Sequence, residues 1–371
     1  MTDTTTAYKP GTHPDLPPPA TSVGTIGWIR TNLFSSPLNI ALTIFSAYVI
    51  YITVVPLVQW AFIDANWVGS TNEDCTKAGA CWLFVKARFG QFMYGFYPEA
   101  ERWRVNVAFL LIIGLMIPLF IDGFPKKAWL GAFNLFVYPV IAFFLFYGGS
   151  FGLPVVDTAR WGGLTLTLIL ATVGIVAALP FGVVLALGRR SEMPIIKTIC
   201  VLFIELWRGV PLITVLFMAS VMLPLFLPEG VSFDKLLRAM IGIVMFQSAY
   251  MAEVVRGGLQ AIPKGQYEAA EALGLGFWRM MGLVILPQAL KLVIPGIVNT
   301  FIALFKDTTL VLIVGLLDLL ALVHAANTDT SWLGNSIEGY VFAATIYWIF
   351  CFGMSRYSIS LEHQLHTGHK R

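Results

Sequence analysis

Long stretches without a charged side chain decide what this chain can fold into. Four of them cover 38–58, 105–121, 128–147 and 163–187. A helix needs about 20 mostly apolar residues to cross the hydrocarbon core of a bilayer, so each stretch is close to the length of a membrane span. Only 12% of the residues are charged, which is about half the share found in soluble domains. The sequence therefore predicts an all-α integral membrane protein.

Four further apolar stretches carry scattered charges and complete the predicted topology. They cover 200–227, 236–255, 283–305 and 337–354, which gives about eight transmembrane helices. The stretch 308–323 is short for a full crossing and contains Asp318. We therefore interpret it as a broken or re-entrant element and not as a ninth span.

The distribution of Lys and Arg predicts the orientation, because short cytoplasmic loops carry an excess of positive charge. With both termini inside, the cytoplasmic side holds Lys126, Lys127, Arg189, Arg190, Lys197, Arg256, Lys264, Arg279 and Arg356. The short outer loops hold fewer, namely Arg160, Lys235 and Arg238. We expect both termini to be cytoplasmic and the first apolar run to insert the chain without a signal peptide.

Charge and cysteine content exclude some other functions. A net charge of +3 over 371 residues provides no basic stripe for nucleic acid, and no cysteine spacing is typical of a metal site. Cys75 and Cys81 lie six residues apart in the large outer loop, 59–104. They are either a disulfide formed in an oxidising periplasm or two small loop residues, and the sequence leaves both readings open.

Ionisable residues near membrane depth fall in the C-terminal half of the chain, and such residues tend to face a cavity or one another. Glu205 and Arg208 are three residues apart, so that on one helix they would face each other. Pro211 removes a backbone donor shortly afterwards and predicts a break in the span. The segment is either a pore-lining gate or a helix start at the cytoplasmic interface, where Arg208 reaches lipid headgroups.

A second polar group interrupts the chain at the end of span 283–305. Lys306 and Asp307 are followed by Thr308, and an adjacent base and acid would suit a zwitterion, with a carboxylate on Lys306 and an ammonium on Asp307. Interrupted hydrophobic runs often form solute sites in transporters. The alternative is a self-satisfied polar cap that ends a helix.

The cytoplasmic segment 256–287 contains two short helical patterns with a glycine corner between them. We predict one helix from Gln266 to Leu273, ended by Gly274 as a C-terminal cap. A second short helix is predicted over 277–284, and its apolar stripe consists of Phe277, Met280, Met281 and Val284 at i, i+3, i+4 and i+7. A soft surface of Phe, Met and Ala is suited to docking in a groove of a partner.

This segment carries a family resemblance. The residues Glu268, Ala269, Ala270, Gly274, Leu286 and Pro287 match the EAA loop by which ABC-importer permeases dock on their ATPase. The stretches ELWRGVPL, AEVVRGGLQAIPKGQYEAAEALG and VILPQALKLVIPGIVNTFIALFKDTTL occur in the order and at the intervals typical of the polar amino-acid permeases for histidine, glutamine and general amino acids. The resemblance covers 160–356, and it implies a type I importer core made of the last five spans.

The N-terminal part resembles a narrower group. Residues 38–147 form three accessory spans, and the stretch GACWLFVKARFGQFMYGFYPEAERWRV in their outer loop is similar to the longer M-type subunit of the general L-amino-acid importers. The remaining segments are an N-terminal stretch, 1–37, that we expect to be disordered and cytoplasmic, and a cytoplasmic tail, 357–371. An inner-membrane location follows from this resemblance.

The resemblance also implies an assembly. Family members pair with a second, related permease chain, two copies of a cytoplasmic ATPase and a periplasmic amino-acid-binding protein. The chain has no G-x-x-x-x-G-K-[ST] phosphate loop, so we expect ATP and Mg²⁺ to bind on the separate ATPase. This chain is expected to be a transport subunit without enzymatic activity, cofactor or metal. The alternative is an ion-coupled secondary amino-acid transporter, although such proteins often show ionisable residues near the midplane.

Overall fold

The computed structural model describes residues 24–76, 78–121, 123–228 and 233–365. Most of the N-terminal segment and the end of the tail, both predicted above, lie outside the described residues. In the described part the secondary structure is helical, and only isolated β-bridges occur beside the helices. The all-α prediction is therefore confirmed for the residues that the structure describes.

The chain divides into two units, residues 1–69 with 73–81 and residues 70–72 with 82–371. The described part of the first unit contains α1 (Gly24–Asn32) and α2 (Pro37–Val58), which continues as a π turn over Gln59–Ile63. Ser36 caps α2 by accepting a hydrogen bond from the Asn39 amide at 3.2 Å, and Pro37 occupies the first turn, where no amide donor is needed. None of the α2 residues is buried within the described chain.

The second unit begins with one helix inside the predicted outer loop and three helices that follow it. They are α3 (Trp82–Tyr94), α4 (Arg102–Phe120), α5 (Lys127–Ala132) and α6 (Tyr138–Tyr147). A π turn over Phe133–Val137 joins α5 to α6, so that both belong to one candidate span, Lys127–Tyr147.

The remaining helices of the second unit form the C-terminal part of the chain. They are α7 (Gly163–Arg189), α8 (Pro194–Gly209), α9 (Leu212–Phe217), α10 (Lys235–Ala261), α11 (Lys264–Ala272), α12 (Phe277–Met280), α13 (Leu286–Leu292), α14 (Ile294–Asp307), α15 (Leu319–Ala326) and α16 (Ser336–Leu365). Asp234 and Asp318 cap α10 and α15, respectively, by accepting hydrogen bonds from amides of the first turn.

The helices α7 and α10 form the most extensive helix pair of the second unit. Gly182 of α7 makes this approach possible, because a Cβ atom there would lie only 2.7 Å from the Met251 Cβ and 3.1 Å from the Ala252 amide nitrogen of α10. Small residues allow helices in a membrane to approach each other closely in this way. The core of the second unit is therefore built around this pair.

The helix α3 packs against the second unit's core and is not an extended loop. Phe84 and Phe92 are fully buried, with ring centroids 5.8 Å apart, and Phe84 also lies 6.0 Å from Trp332. Its end is fixed by the Thr165 hydroxyl of α7, which donates to the Met93 carbonyl at 2.9 Å. Part of the predicted outer loop is thus a structural component of the unit.

The count of spans differs from the eight expected. Among the described residues, six helices are long and apolar enough to cross a membrane, and a seventh candidate is the bent pair Pro194–Gly209 and Leu212–Phe226. The helix α10, predicted as span 236–255, is long enough but carries Arg238, Glu253 and Arg256 and does not meet the same apolar criterion. The exact number of eight is not confirmed.

The predicted span 283–305 begins too early. A new helix, α14, starts at Ile294, and the candidate span there runs over Ile294–Val314. Pro295 stands in the first turn of α14, where a proline starts a helix readily but cannot continue one from the preceding turn. The stretch 308–323 is broken as expected, because a 3₁₀ helix over Thr308–Val314 ends at Gly315, whose φ is +71°.

Candidate functional site

The glycine corner of the segment 256–287 is a regular helix-ending motif. The Gly274 amide donates to the Glu271 carbonyl at 2.8 Å, and the Leu275 amide donates to the Ala270 carbonyl at 3.1 Å. These two bonds define a Schellman motif, in which the residue after the cap is left-handed. Gly274 has φ +71°, so the motif uses the residue type that adopts this conformation without strain. The predicted cap is confirmed by this geometry.

The second predicted helix of the segment is helical over its whole predicted length, 277–284, but it contains a π turn. α12 ends at Met280, a π turn follows over Met281–Ile285, and α13 then starts at Leu286 with Pro287 in its first turn. Proline suits this position because the first turn needs no amide donor. The segment therefore consists of three short helical pieces, α11, α12 and α13, joined by the Gly274 corner and the π turn.

The two methionines of the predicted apolar stripe face inward, which corrects the expectation that they form part of a docking surface. Met280 and Met281 are only 6% and 7% exposed, and Ala270 is 2% exposed. They pack with α10 residues such as Val255 and Leu259 in one buried cluster. The physical reason is that the chain's own helix α10 covers this part of the stripe, and periodicity alone does not show which surface will do so.

Other apolar side chains of the segment face outward. Leu273, Trp278 and Phe277 are 80%, 77% and 49% exposed, respectively, and Glu268, Ala269 and Pro287 are also exposed, whereas Leu286 is half-buried. We define Leu273, Phe277 and Trp278 as the corner patch. It lies on both sides of Gly274 and is an exposed apolar surface available to a partner.

The break predicted near Pro211 is present. α8 ends at Gly209, α9 begins at Leu212, and the two helices meet at an angle of 103°. Val210 and Pro211 between them are extended. Prediction and structure therefore agree that the apolar stretch 200–227 is not one straight helix.

Glu205 and Arg208 do not pair with each other, which corrects the prediction from their spacing. Glu205 binds Arg189 at 2.8 Å, and Arg208 lies 3.8 Å from Glu253. Glu253 of α10 is 15% exposed, forms an ion pair with Arg189 at 3.0 Å, and accepts a hydrogen bond from Arg256 at 2.7 Å. Glu205 and Arg208 therefore find their partners on neighbouring helices, α7 and α10, and not in each other.

We refer to Arg189, Glu205, Arg208, Glu253 and Arg256 as the Glu253 cluster. It joins α7, α8 and α10 beside the bend at Gly209. From the sequence, Arg189 is interpreted only as a loop charge that reports the orientation, so its ion pairs with Glu205 and Glu253 are not predicted. The signal that could have found them is the pair of arginines ending a long uncharged run.

Lys306 and Asp307 do not line the same cavity. A cavity of about 390 Å³ lies beside the end of α14 and is lined by Lys306, Thr309, Leu320, Tyr340, Ala343, Ala344 and Tyr347. Asp307 is not among these residues. Thr308 is fully buried, and its hydroxyl donates to the Phe305 carbonyl at 2.8 Å. The hydroxyl of Thr308 therefore caps the helix, whereas Lys306 is open to a solute-sized space.

A buried polar network lies next to this cavity. The Tyr347 hydroxyl donates to the fully buried Asp318 carboxylate at 2.9 Å. The same carboxylate accepts from the Leu320 and Ala321 amides at 3.3 and 3.0 Å. These bonds compensate for the removal of the carboxylate from water and fix the cavity wall.

The start of α4 is held by Arg104, a residue that the sequence alone did not single out. Arg104 is fully buried, binds Glu101 at 3.1 Å and donates to the Pro154 carbonyl at 3.1 Å. Its guanidinium lies 5.6 Å from the centre of the Tyr97 ring. Burial raises the pKa of the Tyr97 hydroxyl, which donates to the Phe146 carbonyl at 2.8 Å.

The two cysteines of the outer loop belong to the first unit. Cys75 and Cys81 are joined as a disulfide with their Cα atoms 5.7 Å apart, a common separation for such a bridge. No three His, Cys, Asp or Glu side chains converge as metal ligands within the part of the chain that the structure describes.

Comparison with known proteins gives consistent matches. The family described as binding-protein-dependent transport system inner membrane component matches residues 178–358. The Escherichia coli inner membrane amino-acid ABC transporter permease protein YhdY is 61% identical, over 96% of this chain and 97% of its own length. The Rhodobacter capsulatus glutamate/glutamine/aspartate/asparagine transport system permease protein BztC is 39% identical, over 95% and 96%, respectively. The crystal structure of an amino acid ABC transporter with histidines has 30% identity and a TM-score of 0.48, covering 54% of this chain and 92% of its own.

Proposed function

The chain belongs to the family of inner-membrane components of binding-protein-dependent transport systems, and on that premise we propose that it is the permease subunit of an ATP-driven amino-acid importer. The two relatives similar over nearly its whole length are named as amino-acid permeases. We propose that the substrates are a broad range of L-amino acids, carried from the periplasm to the cytoplasm. The M-type resemblance of the N-terminal half supports this breadth.

The observation that carries the proposal is the coupling loop, 256–287. A left-handed corner at Gly274 presents the corner patch to the cytoplasm, and such an exposed apolar patch is typical of a docking surface. A separate ATPase would bind there, supplying the ATP and Mg²⁺ chemistry for which this chain has no phosphate loop. This subunit would itself catalyse no bond chemistry.

The assembly that we propose contains two permease chains. A homologous second permease would complete the translocation path, two ATPase copies would dock on the two coupling loops, and a periplasmic binding protein would deliver the amino acid. Both termini would be cytoplasmic, in agreement with the positions of the positively charged loops.

The path through this chain is proposed to use the polar groups already described. The bend between Gly209 and Pro211 would form the cytoplasmic gate, beside Glu205 and Arg208. On the outer side, the cavity at Lys306 would receive the carboxylate of the amino acid, since a lysine ammonium is a strong hydrogen-bond donor to carboxylates.

Co-purification and uptake together test the proposal. The permease would be isolated from solubilised membranes with its bound proteins identified, and the complex would be reconstituted in liposomes with radiolabelled amino acids. We expect a bound ATPase and uptake that requires ATP and persists when ionophores collapse ion gradients. If uptake stops when ionophores are added and does not need ATP, the proposal is wrong and the protein is an ion-coupled transporter.

A further inference from the structure

Two consecutive arginines at the end of α7 bind different parts of the cytoplasmic side. Arg189 binds Glu205 of α8 at 2.8 Å and Glu253 of α10 at 3.0 Å. Arg190 donates instead to the Leu259 carbonyl at 3.0 Å and to the Tyr267 hydroxyl at 2.9 Å. The peptide bond between Arg189 and Arg190 therefore connects the ion pairs of Arg189 with the hydrogen bonds of Arg190.

The contacts of Arg190 include the coupling loop itself. Tyr267 belongs to α11, two turns before the Gly274 corner, and its hydroxyl also donates to the Leu259 carbonyl of α10 at 3.2 Å. The Arg190 guanidinium lies 5.5 Å from the centre of the Tyr267 ring, a cation–π distance. Arg190 thus holds α11 against the ends of both α7 and α10.

The contacts of Arg189 belong to the Glu253 cluster and so to the gate. Three arginines of this cluster approach a single half-buried region in which Glu253 and Glu205 supply the negative charge. Arg208 of the cluster lies one residue before the end of α8, where the chain bends by 103°. A displacement of Arg189 therefore changes the ion pairs that fix the last turn of α8.

We infer that Arg189 and Arg190 are positioning residues for transport, which transmit movement of the coupling helix α11 to the α8 gate through the end of α7. The inference rests on the proposed function, because it requires an ATPase that moves the coupling loop. When the ATPase displaces α11, Tyr267 pulls on Arg190, and the adjacent Arg189 redistributes its ion pairs between Glu205 and Glu253. Interactions with two discrete arrangements are the physical basis on which distant sites can be coupled.

A purely structural role for these arginines predicts a different result. If they only anchored the end of α7, their loss would lower the stability of the complex and the recovery of bound ATPase together with uptake. If they transmit movement, ATP hydrolysis and assembly persist, while the amount of amino acid moved per ATP falls. The ratio of uptake to ATP hydrolysis separates the two roles.

The test uses the complete reconstituted complex and the variants Arg190→Gln, Tyr267→Phe and the double variant. We expect each single change to lower uptake per ATP by about tenfold, which is the factor that one charged hydrogen bond corresponds to. The double variant should lose less than the two single losses combined, since both changes remove the shared Arg190–Tyr267 hydrogen bond, while each also removes its own bond to the Leu259 carbonyl. Lys197→Gln is the matched control, because it removes one exposed positive charge from the same cytoplasmic side and should leave the ratio unchanged.

Two further variants examine the other half of the pair. Arg189→Gln should also lower uptake per ATP, and Arg189→Lys should restore part of it, since the charge returns without the planar geometry of arginine. An unchanged ratio in Arg190→Gln, or a loss that parallels the loss of bound ATPase, would overturn the inference. Absence of ATP-driven uptake by the unmodified complex would instead overturn the proposed function.

Discussion

Replacement of Gly274 gives the sharpest test of the coupling loop. Its φ of +71° lies in the left-handed region, whereas a Cβ atom placed there would meet no other atom within 4 Å. The cost of Gly274→Ala therefore comes from backbone conformation alone and not from crowding. For an L-residue that cost is about 1–2 kcal/mol, which corresponds to about a 5- to 30-fold loss of the correctly formed corner.

A series at this position separates conformation from charge. Gly274→Asn should retain most of the docking, because asparagine adopts the left-handed conformation more readily than alanine. Gly274→Asp has nearly the same shape as Asn but adds a negative charge at the end of α11, where the helix dipole disfavours it by about 0.3–1 kcal/mol. We expect Gly274→Asp to weaken docking and transport about two- to fivefold more than Gly274→Asn does, while membrane insertion is unaffected because the position is exposed.

The assay is a binding titration of the purified ATPase against the solubilised permease. Gly276→Ala is the control, since Gly276 has φ −66° and equally open space around its Cβ position. It should bind the ATPase as the unmodified chain does, whereas Gly274→Ala should bind about tenfold more weakly. Equal affinities for Gly274→Ala and the unmodified chain, or equal losses at both glycines, would refute the argument from the left-handed corner.

Three other predictions concern the cavity, the outer loop and the buried arginine. Lys306→Ala should lower uptake, whereas Asp307→Ala should alter it less, because of these two residues only Lys306 lines the cavity. If Lys306→Ala and the unmodified protein take up amino acid equally, Lys306 serves only to end the helix. Cys75 and Cys81 should resist membrane-impermeant thiol reagents until a reductant is added, and labelling of both without reductant would show that they are not bonded. Arg104→Met should lower the free energy of unfolding by about 3 kcal/mol, since Glu101 loses its buried partner. Thermal unfolding in detergent would measure the change, and an unchanged unfolding midpoint would contradict the stabilising role of Arg104.

Local backbone rules account for the features that the sequence predicted correctly. Gly274 after an amphipathic run specifies a helix end, and Pro211 after Gly209 specifies a break. Both statements depend only on residues that are neighbours in the chain. The family resemblance was accessible for a similar reason, since its motifs are short and occur in order.

The features that sequence reasoning missed depend on contacts between distant segments. The spacing of Glu205 and Arg208 shows that they can meet, but Arg189 and Glu253 arrive from other helices and bind them instead. Likewise, the stripe containing Met280 identifies an apolar face without showing that α10 covers it. In both cases contacts with distant parts of the chain determined which partner a residue has, and a local sequence pattern does not contain that information.

The close approach of α7 and α10 restricts where this protein can deform. With the Gly182 backbone in contact with Met251, neither helix can slide along the other without a steric collision, so the pair should turn as a rigid body. At Val210 and Pro211 the backbone is extended, and the Cβ position of the neighbouring Gly209 has no neighbour within 4 Å, so a change in the angle between α8 and α9 should meet the least resistance there. Since α9 packs on α10 through Val215 and Leu216, such a change would move α8 against the α7–α10 pair, while α9 would travel with the pair.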